Sequence, residues 1–436
     1  MASTGVGTTA LKSLYVGIDI GTSGCRAVAI NDENIIVAKA SITLPGSHLK
    51  NGHLVQQAHD WWLACHLVLD NLLAQIDRIQ VRAIAIDATS GSVLLCDSDG
   101  TVLSDAYMYN DKNNQAEAEL IKQVAPENCA AHGVSSGLAK CLSLLSTHKP
   151  GHQTKCLNQA DWLAGVFTQQ FNFSDQNNSL KLGYDAVNQT WPDWIQVLNC
   201  QQHLVSNVYT PGKIFTSISA QIAKTFGLCK TTQIVAGTTD SIAAFIATGC
   251  NKPGDAVSSL GSTLAVKILA EKPIYAPDYG VYSHRLGDAW LVGGASNTGG
   301  AVINKYFDLE QITILTTQLR VDQSTGLDYY PLLEKGERFP INDTDLAPKL
   351  TPRPNSDLDF FQGMLEGITN IEKTAYEKLA ELGAPYPTHI KTMGGGSVNT
   401  RWQQIRQQML EVPVSKATIT EAAYGTALLA KQGIQQ

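Results

Sequence analysis

Two short tips of glycine and hydroxyl residues, each set between strand-like runs, constrain this chain more than any other feature. Near the start, the run Leu14 to Ile20 meets Gly21-Thr22-Ser23-Gly24 and a second run, Arg26 to Asn31. About 240 residues later, Ala256 to Leu260 meets Gly261-Ser262-Thr263 and then Leu264 to Ala270. Two hairpins with the same tip chemistry fit a duplicated fold whose halves face one another across a cleft. They equally fit two unrelated turns, because Gly and Ser dominate tight turns anyway.

The apolar pattern between the tips switches repeatedly between continuous or period-two runs and period 3.6, which predicts an α/β chain. Further strands are expected at Val81 to Asp87, Val93 to Asp97, Gln233 to Ala236 and His389 to Met393. A helix is expected from about Asp60 to Gln75, where Trp62, Cys65, Leu69, Leu72 and Ile76 recur at helical spacing and Asp60 serves as N-cap. Another runs from Leu358 to Leu382 and stops at Gly383; two more, near Thr400 to Leu410 and Thr420 to Lys431, close the chain.

The chain has 436 residues, with 32 Lys and Arg against 39 Asp and Glu, a net charge of −7. That charge excludes a basic nucleic-acid binder, and the length predicts two or three domains. No run approaches the ~18 apolar residues of a membrane helix, so no membrane partner is expected. The start, MASTGVGTTALKS, lacks the apolar core of a secretory signal, and a soluble intracellular protein is expected. Nine cysteines with no C-x-x-C pair read as reduced thiols. The leader, residues 1–13, is small and hydroxylated; a trimmed organellar transit peptide and a plain disordered terminus both fit it.

Three segments carry candidate chemistry. In Gly17-Ile18-Asp19-Ile20-Gly21-Thr22-Ser23-Gly24, an acid at the end of a buried strand precedes a turn rich in free N–H groups. Such a turn can cradle phosphate oxygens while the carboxylate holds hydrated magnesium, although a capped hairpin with Asp19 serving the turn amides also fits. In Gly237-Thr238-Thr239-Asp240-Ser241, Asp240 stands where a strand passes into a helix. It is either an N-cap or an acid able to accept a proton from a substrate hydroxyl. In Gly394-Gly395-Gly396-Ser397-Val398-Asn399-Thr400-Arg401-Trp402, three glycines let a flat group approach the main chain. A nucleobase beside Asn399 and Trp402 is one such group; a flexible turn with Trp402 in the core is the other reading.

The ordered blocks DIGTSG (19–24), IDATSG (86–91), MYND (108–111), SDQNNSLKLGYD (174–185), GTTDSIAAFIATG (237–249), SLGST (259–263), GGASNTGGA (293–301) and MGGGSVNTRW (393–402) resemble those of the FGGY carbohydrate kinases. The likeness covers nearly the whole chain from about Leu14. Within that family the chain looks most like the small plant and cyanobacterial members that act on D-ribulose. The resemblance implies the actin-like ATPase fold, with two ribonuclease H-like domains flanking a cleft, here 14–236 and 237–436. It implies ATP and magnesium as cofactors, and a sugar as the partner.

Carried over by position, Asp240 matches the family's catalytic base, and Asp19 matches the acid beside the metal and the transferred phosphoryl. Gly21, Thr22 and Ser23 match the first phosphate loop; Gly261, Ser262 and Thr263 match the second. Gly395, Gly396, Asn399 and Trp402 match the adenosine segment, and Ser90, Asn110 and Asp111 fall on blocks that line the sugar pocket beside Asp19 and Asp240. Domain closure over substrate is then expected to assemble the site and suppress hydrolysis. One departure concerns the substrate. Xylulose kinases usually have Trp-Asn-Asp-Arg, where this chain has Tyr109-Asn110-Asp111-Lys112. The expected activity is D-ribulose phosphorylation to D-ribulose 5-phosphate. The alternatives are D-xylulose phosphorylation, or a nucleotide-binding regulator that hydrolyses ATP; retained Asp19, Thr22 and Asp240 argue against the regulator. Reduced thiols permit cytoplasm or plastid stroma; the resemblance to the plant members, with the leader, implies the chloroplast stroma, with the cytoplasm as alternative.

Overall fold

The computed structural model describes residues 13–149 and 151–435, so the leader expected at 1–13 lies outside the described residues except for Ser13. The chain divides into two compact units. The first takes the described residues up to Ala125, Ala130–Ala247 and the chain from Glu421; the second takes Pro126–Cys129 and Thr248–Thr420.

The first unit is built on a six-stranded sheet of β1 (Leu14–Ile20), β2 (Gly24–Ile30), β3 (Ile36–Thr43), β4 (Val81–Ala88), β5 (Ile214–Ser217) and β6 (Gln233–Val235), in the order β5-β6-β4-β1-β2-β3. Every residue of β1 is buried, which is why its sequence is a near-continuous apolar run. It pairs antiparallel with β2 and parallel with β4, a register that sets Asp19 beside Asp87. Helices α1 (Ala58–Leu73), α2 (Gly137–His148), α3 (Gln159–Thr168), α4 (Gln176–Leu180) and α5 (Asp240–Ala247) belong to this unit, as does a smaller five-stranded sheet. That smaller sheet includes Val93–Cys96 and Ala106–Tyr107.

The second unit repeats the plan with β7 (Asp255–Leu260), β8 (Leu264–Ala270), β9 (Tyr282–Leu286), β10 (Ala289–Ala295), β11 (His389–Met393) and β12 (Val414–Lys416), ordered β9-β10-β8-β7-β11-β12. In both sheets a tip hairpin opens an antiparallel meander, and its first strand runs parallel to the next strands of the sheet. The duplicated-fold reading of the two tips therefore stands, and the accidental-turn reading does not. Helices α6 (Gly300–Tyr306), α7 (Leu309–Gln318), α8 (Asp357–Glu381) and α9 (Thr400–Leu410) belong to this unit. The long α8, over the span expected from Leu358 to Leu382, buries Phe361, Leu365, Ile368, Ala375 and Leu379 on one stripe at helical spacing.

Asp60 is not the cap of α1. The helix begins two residues earlier, behind Gln57, whose side chain makes no cap bond and instead donates to Asp105; Asp60 sits within the first turn, where its charge complements the helix dipole. None of the nine cysteines is in a disulfide. No helix among the described residues is long and apolar enough to cross a membrane.

Besides giving Pro126–Cys129 to the second unit, the division differs from the boundary expected at 236/237 in two ways. The first unit runs on to Ala247, and it also takes back the last helix, α10 (Ala422–Gln435). The reason is close packing. A Cβ on Gly17 of β1 would lie 2.1 Å from the Ala423 carbonyl oxygen, and one on Gly425 would lie 1.9 Å from the Ala243 carbonyl oxygen in α5. Backbone thus meets backbone at both contacts, and only glycine permits it. Gly425→Ala must push α10 off α5, a strain typical of overpacking at about 1–3 kcal/mol. Denaturant unfolding should show that loss, and wild-type stability would refute the packing argument.

Candidate active site

Three acids converge at the ends of β1, β4 and β6 in the first unit. Asp19 is 5% exposed and accepts a hydrogen bond from Arg26 Nη1 at 3.1 Å. Burial pushes its carboxyl above the ordinary range, against the pull of the Arg26 charge. Asp87 is fully buried: Oδ2 accepts from Thr426 of α10, while Oδ1 has no hydrogen-bond partner. Burial first, then the charges of Asp19 and Asp240, drive its carboxyl well upward, although the Thr426 hydroxyl opposes this. Two such carboxyls in register are an arrangement that costs stability and is found where chemistry requires it.

Asp240 is the first residue of α5. Its Oδ1 accepts from Ser241 N at 2.5 Å, a bond to the next residue inside the helix; a cap would stand one position earlier and reach an N–H two or three residues on, so the cap reading does not hold. It also lies close enough for its charge to raise Asp87, as the acid reading requires. Gly237 makes this possible: its Cβ would stand 1.8 Å from the Ile86 carbonyl oxygen, and the bridge Ala88↔Thr239 continues the approach. Sequence reasoning quoted the block around Asp87 without assigning the residue. Its signal lay in the β1–β4 register, which no single-strand pattern shows.

Both tips close on themselves. Gly21 N donates to Gly24 O at 2.9 Å, and Gln56 Nε2 donates to Thr22 O at 2.7 Å, leaving Ser23 exposed. In the second unit Gly300 N donates to Gly261 O at 2.9 Å, and Ser262 and Thr263 are exposed.

Beside the second tip, the same unit holds a cavity of about 660 Å³ lined by Leu260, Gly261, Ile303, Phe361, Gly395 and Trp402, among others. Gly394, at φ 83°, brings the glycine run against β7: its Cβ would lie 2.7 Å from the Leu260 carbonyl oxygen. The volume and mostly apolar wall suit a nucleoside. Two expected contacts are refined. Trp402 is 4% exposed and donates through Nε1 to Thr369 Oγ1 at 2.9 Å, so it is a core residue that also lines the cavity. Asn399 also lines it, but its carboxamide accepts from Trp402 N at 2.8 Å and donates to Thr316 Oγ1 at 3.1 Å, capping α9.

The expected sugar-side residues divide. Asn110 is exposed. Asp111 is 2% exposed, and its carboxylate accepts from Leu54 N at 2.9 Å and Asn114 Nδ2 at 2.8 Å, with His53 Nδ1 at 3.1 Å. Those bonds occupy both oxygens, so Asp111 shapes the wall from within. Ser90 Oγ has no partner, nor have buried polar atoms of Gln159, Gln176, Asn178, Ser179 and Thr239. Thr89 Oγ1 donates to Gln159 Oε1 at 2.7 Å, and Asn178 Nδ2 donates to the Thr238 carbonyl at 3.3 Å, which ties these segments to the tip of β4 and to Asp240. Unsatisfied buried donors and acceptors are few in most proteins, and a group of them implies bound water or ligand. The sequence could not show this group, because its members come from separate segments: Ser90, Gln159, the α4 residues Gln176, Asn178 and Ser179, and Thr239.

Asp19 and Asp87 supply hard oxygen ligands, one oxygen of which is orphaned. That fits magnesium, which keeps its waters and takes one or two carboxylates plus phosphate oxygens.

The chain belongs to the FGGY family of carbohydrate kinases. Models of the family's N-terminal and C-terminal domains match residues 14–247 and 256–432. A xylulose kinase of Staphylococcus epidermidis is 21% identical over 97% of this chain and 88% of its own. Among solved structures, a xylulose kinase from Brucella ovis superposes with a TM-score of 0.86 at 22% identity, covering 97% of this chain and 90% of that one. Plasmodium falciparum glycerol kinase with ADP gives 0.85 at 17% identity, with the same coverage. The protein is thus an ATP-dependent carbohydrate kinase on the actin-like ATPase fold. Asp87→Asn replaces a buried carboxyl, which burial and its acidic neighbours press toward the neutral form, with an amide of nearly the same volume. It should raise the melting temperature and lower sugar phosphorylation about 10- to 100-fold. Unchanged turnover in a coupled assay would show that Asp87 is a bystander.

Proposed function

We propose that this kinase phosphorylates D-ribulose to D-ribulose 5-phosphate, with Asp240 as general base. The observation that carries the substrate choice is the wall at Tyr109-Asn110-Asp111-Lys112, which departs from the Trp-Asn-Asp-Arg usual in xylulose kinases. Its Asp111 is bound internally, which leaves Asn110 and Tyr109 as the exposed polar and aromatic groups of the segment.

Phosphoryl transfer asks little covalent work of a protein beyond in-line positioning and neutralising oxygen charge. Asp240 accepts the proton of the attacking sugar hydroxyl, whose oxygen bonds to the γ-phosphorus as the bond to ADP breaks. The backbone N–H groups of Thr22 and Ser23, and of Ser262 and Thr263, hold phosphate oxygens, while Gly21 and Gly261 spend theirs on closing the tips. Gly395 and Gly396 admit the adenosine, with Trp402 behind it and Asn399 fixing the turn. Asp19, with Asp87, would hold magnesium, which when bound neutralises phosphate charge. Ser90 and Asn110 orient the sugar, with Asp19 and Asp240 at its reacting end.

The named xylulose kinases among its relatives favour D-xylulose as the second reading. Coupled ATP turnover with magnesium separates the two when no sugar, D-ribulose, D-xylulose, L-ribulose, ribitol and glycerol are compared. D-ribulose should give a selective rise of at least about tenfold in kcat/KM, the discrimination one well-placed hydroxyl contact provides. Preference for D-xylulose would transfer the assignment, and equal rates with and without sugar would reject it.

A further inference from the structure

Lys140 of α2 is fully buried. The other large buried cation, Arg406, is neutralised by Glu372, whereas Lys140 spends its three donors on backbone carbonyls. Nζ donates to Gly91 O at 2.9 Å, Tyr109 O at 3.2 Å and Ser135 O at 2.7 Å. An ammonium has three N–H groups, so the three acceptors use all of them. Burial, with Lys181 nearby, pushes this ammonium down to about 7, while Asp111 acts the other way. Such a group is expensive to keep, and an apolar side chain of similar size would fill the space at less cost.

The carbonyls it joins explain its presence. Gly91 follows Ser90, Tyr109 precedes Asn110, and Ser135 lies just before α2. Between the first two segments the strand ladder is the single pair Val93↔Tyr107. Beyond that pair the chains are held by side chains: Lys140, and Ser92, whose Oγ accepts from Tyr109 N at 2.9 Å and bonds Thr89 Oγ1 at 2.6 Å. The peptide carrying the Tyr109 carbonyl is the one that leads into Asn110, so the ammonium sets the spacing of the two walls.

We propose that Lys140 is a positioning residue for the sugar: it holds the Ser90 and Asn110 segments at the separation that the acceptor requires. The inference rests on the reading that those two residues face the sugar.

The test compares wild type, Lys140→Met and Lys140→Gln by steady-state kinetics and by hydrogen–deuterium exchange of the full chain. In Lys140→Met, segments 89–92, 109–112 and 133–136 should lose protection together. The sugar KM should rise about tenfold or more while the ATP KM stays within about twofold, since small misplacements act on the misplaced substrate. Gln keeps two of the three donors and should fall between; it carries the comparison if the Met variant does not fold. A merely structural lysine would lower the active fraction and leave both KM values alone, and that result overturns the proposal. So does wild-type exchange in the three segments. A wild type indifferent to every sugar overturns the acceptor reading itself, whereas a sugar-dependent wild type with an unchanged variant KM overturns only the role of Lys140.

Discussion

The contact of α10 with β1 and α5, made backbone to backbone at Gly17 and Gly425, is the constraint on which the acidic site depends. It brings Thr426 against Asp87 and holds β1 and α5, the elements that carry Asp19 and Asp240, to one helix. Any side chain at either glycine would separate these elements by more than a hydrogen bond tolerates. Helix α10 therefore serves a site whose acids, Asp19, Asp87 and Asp240, come from three earlier segments of the chain.

That site is maintained against its own electrostatics. Asp87 is shut away from water beside Asp19, and its orphaned oxygen has no internal compensation. A fold selected for stability alone would place apolar groups there. The same reasoning covers the unsatisfied polar atoms near Ser90 and the buried ammonium of Lys140. These departures from good packing lie in one unit; the other unit holds the apolar cavity suited to a nucleoside. The two halves of the duplicated fold thus differ in kind, with these unsatisfied polar atoms in one and the apolar-walled cavity in the other.

Leu14–Ile20, buried throughout, was legible to the residue from sequence because burial leaves a near-continuous apolar run; Leu264–Ala270 and His389–Met393, where half-buried residues interrupt the buried ones, were placed to the residue as well. The strand Ala289–Ala295 was not, since its Gly293 and Gly294 weaken the pattern; they are there because Val266 and Phe339 pack directly on the main chain. Asp19, Asp240 and both tips were found because acid-plus-glycine turns are local. Asp87, Thr426 and Lys140 were missed because their roles come from register, a returning helix and three distant carbonyls. Asn399 and Trp402 were located correctly, but sequence could not separate lining the cavity from capping and core packing, which they do at once.

The most direct measurement is the turnover of Asp240→Ala with its best sugar, set beside nucleotide affinity by calorimetry. A general base contributes ~10²–10⁴-fold, so turnover should fall by that order while nucleotide affinity holds. A variant with full turnover, or one that loses nucleotide binding in parallel with turnover, would contradict the account of Asp240 as the residue that takes the sugar's proton.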